Sequence, residues 1–379
     1  MRIKHLFMKI LFINNIPSKY RTSFFDKLGL LCDLTVIFEQ KNLKYRDKSF
    51  VDNKSPNFKS IYLNAKSVGK DNSISFKIKK YLKSNKYDLV ILGNYHTFTD
   101  VIATNYMIHH KVKYGLSIDG MFINKKESKI KYKLKNKMFK NSSFFLTTGC
   151  ASIEAIKYYG GNPNKCYLFP FSSIADGNIL PSIVDTNSKI ELRKKHKINT
   201  SSKIYLYVGQ MIKRKGIDLL LSIFPNDNRF TLLLIGGKLP KNYIKIINDR
   251  KLNNVINYDF IPFESLSDYY KLADYFILPT NEDAWALVIN EALSYSLPVI
   301  STDRALGALE LIKNKNTGFV VKNNKKELLN AIMTSFETKD DSYIQMQMNA
   351  LKIAKLYTIE QMVDAHLKIF REIISNENL

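Results

Sequence analysis

The sequence predicts an α/β fold of two domains, each built on a parallel sheet. Three observations carry this expectation. At 379 residues the chain is about twice the usual domain size. Short apolar runs alternate with helical patterns almost throughout, as strands and crossover helices do. The alternation also comes in two series, parted by a stretch rich in Pro, Gly, Asn and Ser. Apolar residues make up 45% of the chain, enough for two cores.

In the first series strands are expected at 9–13, 34–38, 89–92, 112–117, 144–148 and 167–171. Helices fall between them, for example at 22–31 and 74–82. Residues 176–188 lack clear periodicity and read as the linker. The second series begins after Lys195, with strands expected at 204–208, 231–235, 255–258, 275–278, 299–301 and 319–321. Residues 358–374 carry apolar Ile359, Met362, Val363, Leu367, Ile369, Phe370 and Ile373 and read as a long amphipathic helix, with Thr358 as candidate N-cap. The expected domains are 1–184, joined by the C-terminal helix in 357–379, and 185–356. Two consecutive α/β units of similar size suggest two Rossmann-like domains.

Residues 1–17, MRIKHLFMKILFINNIP, begin basic and turn apolar, as a signal peptide would. Lys9 interrupts the apolar run and no small-residue cleavage site follows, so residues 6–13 read better as a buried first strand. Met8 is a second candidate start. No window reaches the roughly 18 uninterrupted apolar residues of a membrane span, which suggests a soluble or peripheral protein. Cys32, Cys150 and Cys166 stand in no metal-ligand or CxxC spacing. Neither a zinc site nor a disulfide framework is expected, and a reducing, cytoplasmic setting fits.

The formal charge of +24 is unevenly spread. Residues 1–190 hold 32 Lys+Arg against 13 Asp+Glu, and the remainder 26 against 21. One half is strongly cationic and the other close to neutral. Nucleic acid, an anionic membrane or a phosphorylated substrate could each answer that charge. A Lys- and Asn-rich surface of the kind AT-rich genomes encode is the plainer explanation.

The richest signal is YFILPTNEDAWALVINEALSYSLPVISTD, residues 275–303. A strand, a polar loop and a helix follow one another. Backbone N–H groups near Ala286 and Leu287, at the helix start, suit a diphosphate. Asp283 lies at the helix mouth and Glu291 eight residues on; carboxylates so placed accept hydrogen bonds from sugar hydroxyls. Here the sequence resembles the retaining GT-B glycosyltransferases, specifically glycosyltransferase family four. That family's E-x7-E motif, usually E-x-(F/W)-G-L-x-x-x-E-A before G-x-P-V-I, stands here as Asp283-Ala284-Trp285-Ala286-Leu287 through Glu291-Ala292, then Leu297-Pro298-Val299-Ile300. Two positions depart from it: Asp283 replaces the first Glu, about one methylene shorter, and Ala286 the usual Gly. A generic strand–loop–helix of a Rossmann-like domain is the alternative.

Residues 207–220 are similar to the family's V-G-R-L-x-x-x-K-G-x-D-x-L-L segment. Gly209 lets a ligand approach, and Lys215-Gly216 opens the next helix. The resemblance implies that the Arg and Lys of this segment neutralise the donor diphosphate. Lys215 takes the Lys place; Gln210 stands where the Arg would be, and Arg214 either compensates or is a solvated charge. Residues 257–274, from Asn257 and Phe260 through Pro262 to Tyr270, Ala273 and Asp274, resemble the G-F-V-x-x-x-x-L-x-x-Y-Y-x-x-A-D run. The likeness covers about 204–321.

The first half is less specific. Asn14-Asn15-Ile16-Pro17-Ser18-Lys19-Tyr20-Arg21 follows the first strand and resembles an N-x-x-P-x-x-Y-R subgroup of the same family. Arg21 either binds an acceptor phosphate or caps a helix, and Asn15 lies in the same loop. Tyr95 and Asp119 each follow the carboxyl end of an expected strand, where ligands of open α/β sheets gather. Asp119 falls where many family members have a His near the reacting carbon; a turn-forming Asp-Gly is the alternative. Residues 125–140, KKESKIKYKLKNKMFK, hold eight lysines and one acid. Ile130, Leu134 and Met138 recur at helical spacing, which fits a membrane-surface helix or a solvated helix packed on the sheet.

The resemblance implies two domains facing across a cleft, the donor on the second, and a metal-independent reaction that retains anomeric configuration. No D-x-D triplet occurs in the chain, which agrees with that. The implied catalytic residues are Asp119, Lys215 and Asp283. Gly209, Gln210, Arg214, Lys215, Asp283, Ala286, Leu287 and Glu291 are the implied donor side, and Asn15, Arg21 and Tyr95 the acceptor side. No cofactor and no metal are expected, only a nucleotide-diphosphate sugar, UDP-linked by preference, as co-substrate. The expected acceptor is a lipid-linked or glycan precursor of a bacterial surface polysaccharide, met at the inner face of the cell membrane. A GT-B sugar-nucleotide 2-epimerase is one rival. A basic nucleic-acid-binding protein is another, but no helix-turn-helix or aromatic–basic stacking motif occurs, so nucleic acid is not the expected partner.

Overall fold

A computed structural model describes residues 8–41, 57–69, 72–82, 87–261 and 263–377. Leu6 and Phe7 of the expected first strand, the leader-like residues before them, Pro262, and residues 378–379 lie outside the described residues. The chain divides into two units, Met1–Ser173 with Ile359–Leu379, and Ile174–Thr358.

The first unit carries β1 (Lys9–Asn14), α1 (Lys19–Gly29), β2 (Asp33–Phe38), β3 (Lys59–Tyr62), β4 (Lys66–Ser67), β5 (Ser73–Ile74), β6 (Leu89–Leu92) and α2 (Phe98–His109). It continues with β7 (Gly115–Ile118), α3 (Lys129–Lys140), β8 (Phe144–Thr147), α4 (Cys150–Tyr158), β9 (Cys166–Leu168) and, from the chain's end, α13 (Ile359–Glu377). Seven strands form one sheet in the order β3-β2-β1-β6-β7-β8-β9. Its pairings are parallel. Strands covered on both faces read as continuous apolar runs, and LVIL at 89–92 and FFLT at 144–147 are buried throughout. The edge strand β3 has no such run, with Lys59 and Ser60 exposed, and periodicity does not announce it.

The helix expected at 74–82 is instead β5 followed by a single 3-10 turn, Phe76–Lys80. Only Ile78 of that turn is buried, too little apolar surface to hold longer helix against the sheet. The strand expected at 167–171 ends at Leu168. The C-terminal helix forms as expected and packs on α1 and β1: Lys27 Nζ of α1 donates to Glu360 Oε1 at 2.6 Å, and Phe370 lies 6.3 Å from Phe12 of β1 between ring centroids.

The second unit carries α5 (Thr186–Lys195), β10 (Lys203–Val208), α6 (Ile217–Ile223), β11 (Phe230–Ile235), α7 (Lys241–Asp249), β12 (Val255–Tyr258) and α8 (Phe263–Leu272). There follow β13 (Tyr275–Leu278), α9 (Leu287–Ser294), β14 (Val299–Thr302), α10 (Leu306–Leu311), β15 (Gly318–Val321), α11 (Lys325–Glu337) and α12 (Asp340–Leu356). The six strands lie in the parallel order β12-β11-β10-β13-β14-β15. Within each sheet, taken by itself, the carboxyl ends of the parallel strands and the loops that follow lie along one edge.

The expected linker is partly structured. Asp185 accepts from the Ser188 amide at 2.9 Å and so caps α5 inside it. Residues 174–184 group with the second unit, where the Leu180 amide donates to the Ser294 carbonyl at 3.0 Å. Helix α5 is then riveted to the sheet, because Lys189 and Arg193 meet Asp274 at 3.3 and 2.8 Å. Burial alone would raise the Asp274 pKa, and these two cations hold it below its ordinary value instead.

Candidate functional site

In the second unit the loop after β10 and the loop after β13 are stitched together. The Asn281 amide donates to the Arg214 carbonyl at 2.8 Å, Thr280 Oγ1 to the same carbonyl at 3.0 Å, and Asn281 Nδ2 to the Lys213 carbonyl at 2.7 Å. Gly216 makes the approach possible. Its φ is +70°, and a Cβ there would come within 1.9 Å of the Pro279 oxygen. Gly209, at φ +152°, leaves β10 beneath Tyr207, whose hydroxyl donates to the Gln210 carbonyl at 2.9 Å.

These stitches bring together residues 68 positions apart in sequence. Lys215 Nζ donates to Asp283 Oδ2 at 2.5 Å, with the two side chains only 12% and 14% exposed. Arg214 Nη1 stands 3.8 Å from the same oxygen and donates to the Glu282 carbonyl at 2.6 Å. Two cations thus share one carboxylate at the mouth of α9. The Gln210 side chain is exposed.

The mouth of α9 is braced from the other side by the loop after β14. Leu306 donates its amide to the Asp283 carbonyl at 3.1 Å, and Gly307 to that of Trp285 at 3.1 Å. The buried indole of Trp285 donates to Asn290 Oδ1 at 3.0 Å and locks the loop to its own helix. Ala286 sits at φ +71°, ψ +70°, a left-handed conformation that costs a residue with a Cβ about 1–2 kcal/mol. Leu287 opens the helix, and first-turn amides have no intrahelical acceptor. Glu291, one helical stretch further in, takes a different partner: Tyr270 Oη donates to its Oε2 at 2.8 Å. Burial pushes the Glu291 carboxyl up to about 7, against that hydrogen bond.

In the first unit the loop after β1 meets the loop after β7. Arg21, on α1, forms an ion pair with Asp119, and its guanidinium lies 5.7 Å from the ring centroids of both Tyr20 and Phe171. The cap suggested for Arg21 is therefore not its role. Burial drives the Asp119 carboxyl upward against the pull of Arg21. Arg21 Nη1, Asp119 Oδ1, Asn14 Oδ1 and Thr147 Oγ1 are buried polar atoms with no hydrogen-bond partner among the described residues. Asn15 spends its side chain locally, its Oδ1 accepting from the Ile16 amide at 2.8 Å. Tyr95 is pushed up to about 12, by burial first and then by the charges of Asp119 and Glu127.

Helix α3 differs from the expected stripe. Met138 is buried, Leu134 half-buried and Ile130 74% exposed. The inward face is carried by Phe139 and by Tyr132, whose ring meets Tyr158 edge-on and Tyr159 at a tilt. Lys135 belongs to that face, paired with Glu127 Oε2 at 2.8 Å and lying 4.7 Å from the Tyr159 ring centroid. Lys129, Lys131, Lys133 and Lys137 remain on the exposed side. Sequence periodicity missed Glu127, which stands one residue before the helix cap Ser128.

Residues 188–353, all within the second unit, match the family model described as glycosyl transferases group 1. An uncharacterised glycosyltransferase of Haemophilus influenzae is 25% identical over 196 residues, 49% of this chain and 54% of that one. The capsular polysaccharide biosynthesis glycosyltransferase CapM of Staphylococcus aureus is 30% identical over 142 residues, 36% of each chain. The chain spans about half or less of the length of these curated relatives. Among solved structures, Anabaena Alr3699/HepE in complex with UDP superposes with a TM-score of 0.72 at 17% identity, covering 98% of this chain and 100% of that one. The fold is GT-B.

Proposed function

We propose that this GT-B chain is a glycosyltransferase that moves a sugar from a nucleotide-diphosphate donor, UDP-linked by preference, to a glycan or lipid-linked acceptor in surface polysaccharide synthesis. The observation that carries the reading is the Lys215–Asp283 pair at the mouth of α9. Further support comes from the family match over the same unit, from the capsular role in the name of CapM, and from UDP in the HepE structure.

Unit two holds the donor in this account. The diphosphate lies at the amides of Ala286 and Leu287, and Lys215 faces it with Arg214 beside it. As the glycosidic bond breaks, negative charge grows on the departing diphosphate. A fixed ammonium stabilises that charge more than it stabilises the intact donor, so it lowers the barrier. Asp283 keeps Lys215 aimed and accepts hydrogen bonds from the donor sugar. Glu291 accepts from the ribose hydroxyls. In unit one Arg21 holds Asp119 oriented at the carboxyl edge of the sheet, where Asp119 positions an acceptor hydroxyl. With the leaving group neutralised by side chains and amides, the reaction needs no metal, and attack on the donor's own face retains configuration. The exposed lysines of α3 hold the enzyme at an anionic membrane on the cytoplasmic side.

Mass spectrometry of products from a panel of nucleotide sugars and polyprenyl-diphosphate-linked acceptors, with chelator present, tests this. A new acceptor mass raised by one sugar residue supports it. Conversion of the nucleotide sugar into an isomer of the same mass, read by proton NMR of the same mixtures and without transfer, would place the chain with the epimerases.

A further inference from the structure

A hollow of about 620 Å³ opens in the first unit between the start of α2 and the face of α3. Its size suits a small polar ligand. Tyr95, Phe98, Asn124, Glu127, Lys131 and Lys135 are among the side chains that line it. Three features point to what it holds. Glu127 is fixed by Lys135, with the Tyr159 hydroxyl also beside its carboxylate and its side chain 6% exposed, yet Oε1 is buried and has no hydrogen-bond partner among the described residues. A buried carboxylate oxygen in that state calls for a donor from a ligand or water. Phe98, 42% exposed on the wall, offers a flat apolar face, and its amide is held by Asn72 Oδ1 at 2.8 Å, so the ring is presented from a fixed backbone. Tyr95, on the same lining, feels the charges of both Asp119 and Glu127.

An apolar wall facing a lone carboxylate acceptor is the chemistry of a sugar ring, which has a C–H face and donating hydroxyls. A phosphate would meet the unpaired Glu127 oxygen as a like charge; Lys135 is already neutralised by that carboxylate, and the other two lysines of the lining, Lys126 and Lys131, are exposed to solvent. We propose that this hollow seats one hexopyranose ring of the acceptor glycan, with a hydroxyl donating to Glu127 Oε1 and the ring against Phe98. The assignment rests on the glycosyl-transfer reading and deepens it by naming a subsite that selects the acceptor.

Saturation-transfer NMR on the full chain, with the methyl glycosides of glucose, galactose, mannose, N-acetylglucosamine and N-acetylgalactosamine at millimolar concentration, reads the subsite directly. Inorganic pyrophosphate is titrated in parallel, and UDP binding is measured separately. At least one methyl glycoside should receive saturation. Phe98→Ala and Glu127→Gln should each weaken it about tenfold, the scale of one stacking face or one hydrogen bond to a charged group, and leave UDP affinity unchanged. Phe98→Ala removes only an exposed ring, so it keeps the test meaningful should Glu127→Gln loosen α3. The proposal is overturned if no glycoside binds, if pyrophosphate binds there instead, or if both variants bind the glycoside as the wild type does. Loss of UDP binding with glycoside binding intact would overturn the donor reading and not this one.

Discussion

Lys215 donates to Asp283 across 2.5 Å, and this contact joins the loop after β10 to the loop after β13. The cation that faces the donor diphosphate in our account is therefore pre-aimed by a carboxylate from the other loop. Replacing Lys215 by Ala removes the charge whose effect grows as the bond breaks. Turnover should fall about a hundredfold or more, with a smaller change in donor KM. Steady-state kinetics on folded variant decide this, and a rate within a few-fold of wild type would make Lys215 a structural residue only.

Asp283 is one methylene shorter than the Glu usual in the family it resembles. Asp283→Asn keeps shape and loses the charge that pairs with Lys215, so it should lower turnover strongly and lower the melting temperature as well, because Lys215 is left largely buried without its partner. Asp283→Glu should keep measurable transfer. Three equal rates would remove the carboxylate from the mechanism.

The pH dependence of UDP binding follows from Glu291. Burial holds its carboxyl at about 7 instead of the ordinary 4.5. A protonated acid must lose its proton before it can accept two ribose hydroxyls, so binding releases a proton and tightens as pH rises. UDP affinity should increase about tenfold between about pH 6 and 8 and then level off. Calorimetry in buffers of different ionisation enthalpy reads the proton directly. Glu291→Gln should flatten the profile; an unchanged profile in that variant refutes the assignment. The same raised pKa has a stability cost. The unfolded carboxyl ionises first, so native stability from this group declines from about pH 4.5 to 7.

Ala286 occupies φ +71° where the resembled family has Gly. Ala286→Gly relieves the left-handed strain and gives back part of it as chain entropy. Stability should rise by up to about 1 kcal/mol. Chemical denaturation measures it, and a clear loss would mean that the Ala286 methyl makes contacts worth more than the strain.

The exposed lysines of α3 should hold the enzyme on anionic vesicles, each contributing about 1 kcal/mol near the surface and fading within a Debye length. Replacing Lys129, Lys131, Lys133 and Lys137 by Gln should release it in co-sedimentation and spare donor hydrolysis. Lys135 is left intact because Glu127 needs it. Wild type that ignores anionic lipid at low salt would leave the cationic half as solvated surface.

How much of this was legible in the sequence depended on distance along the chain. All six strands of the second sheet lie within a residue of the expected places, because buried parallel strands announce themselves as apolar runs. Asp283, Ala286 and Glu291 share one short motif and were found together. The Lys215–Asp283 contact spans 68 positions and needed a fold to become visible, as did the pairing of Arg21 with Asp119, 98 positions apart. Glu127 hid in a lysine-rich stretch read by its charge. Ile130 misled for the same reason: a helical repeat names a face without saying which neighbour covers it. Glu39 and Asp100, buried side by side with the Ser73 and Thr97 hydroxyls, gave no local signal at all.

The most direct measurement is proton NMR of the donor during turnover. The purified chain is mixed with each of a panel of α-linked nucleotide sugars and a polyprenyl-diphosphate-linked acceptor, with chelator present throughout. The account predicts that one donor's anomeric resonance decays while an α-configured product resonance grows at the same rate, and that Lys215→Ala slows both together. A β-configured first product, a requirement for added metal, or no decay of any donor resonance would contradict it.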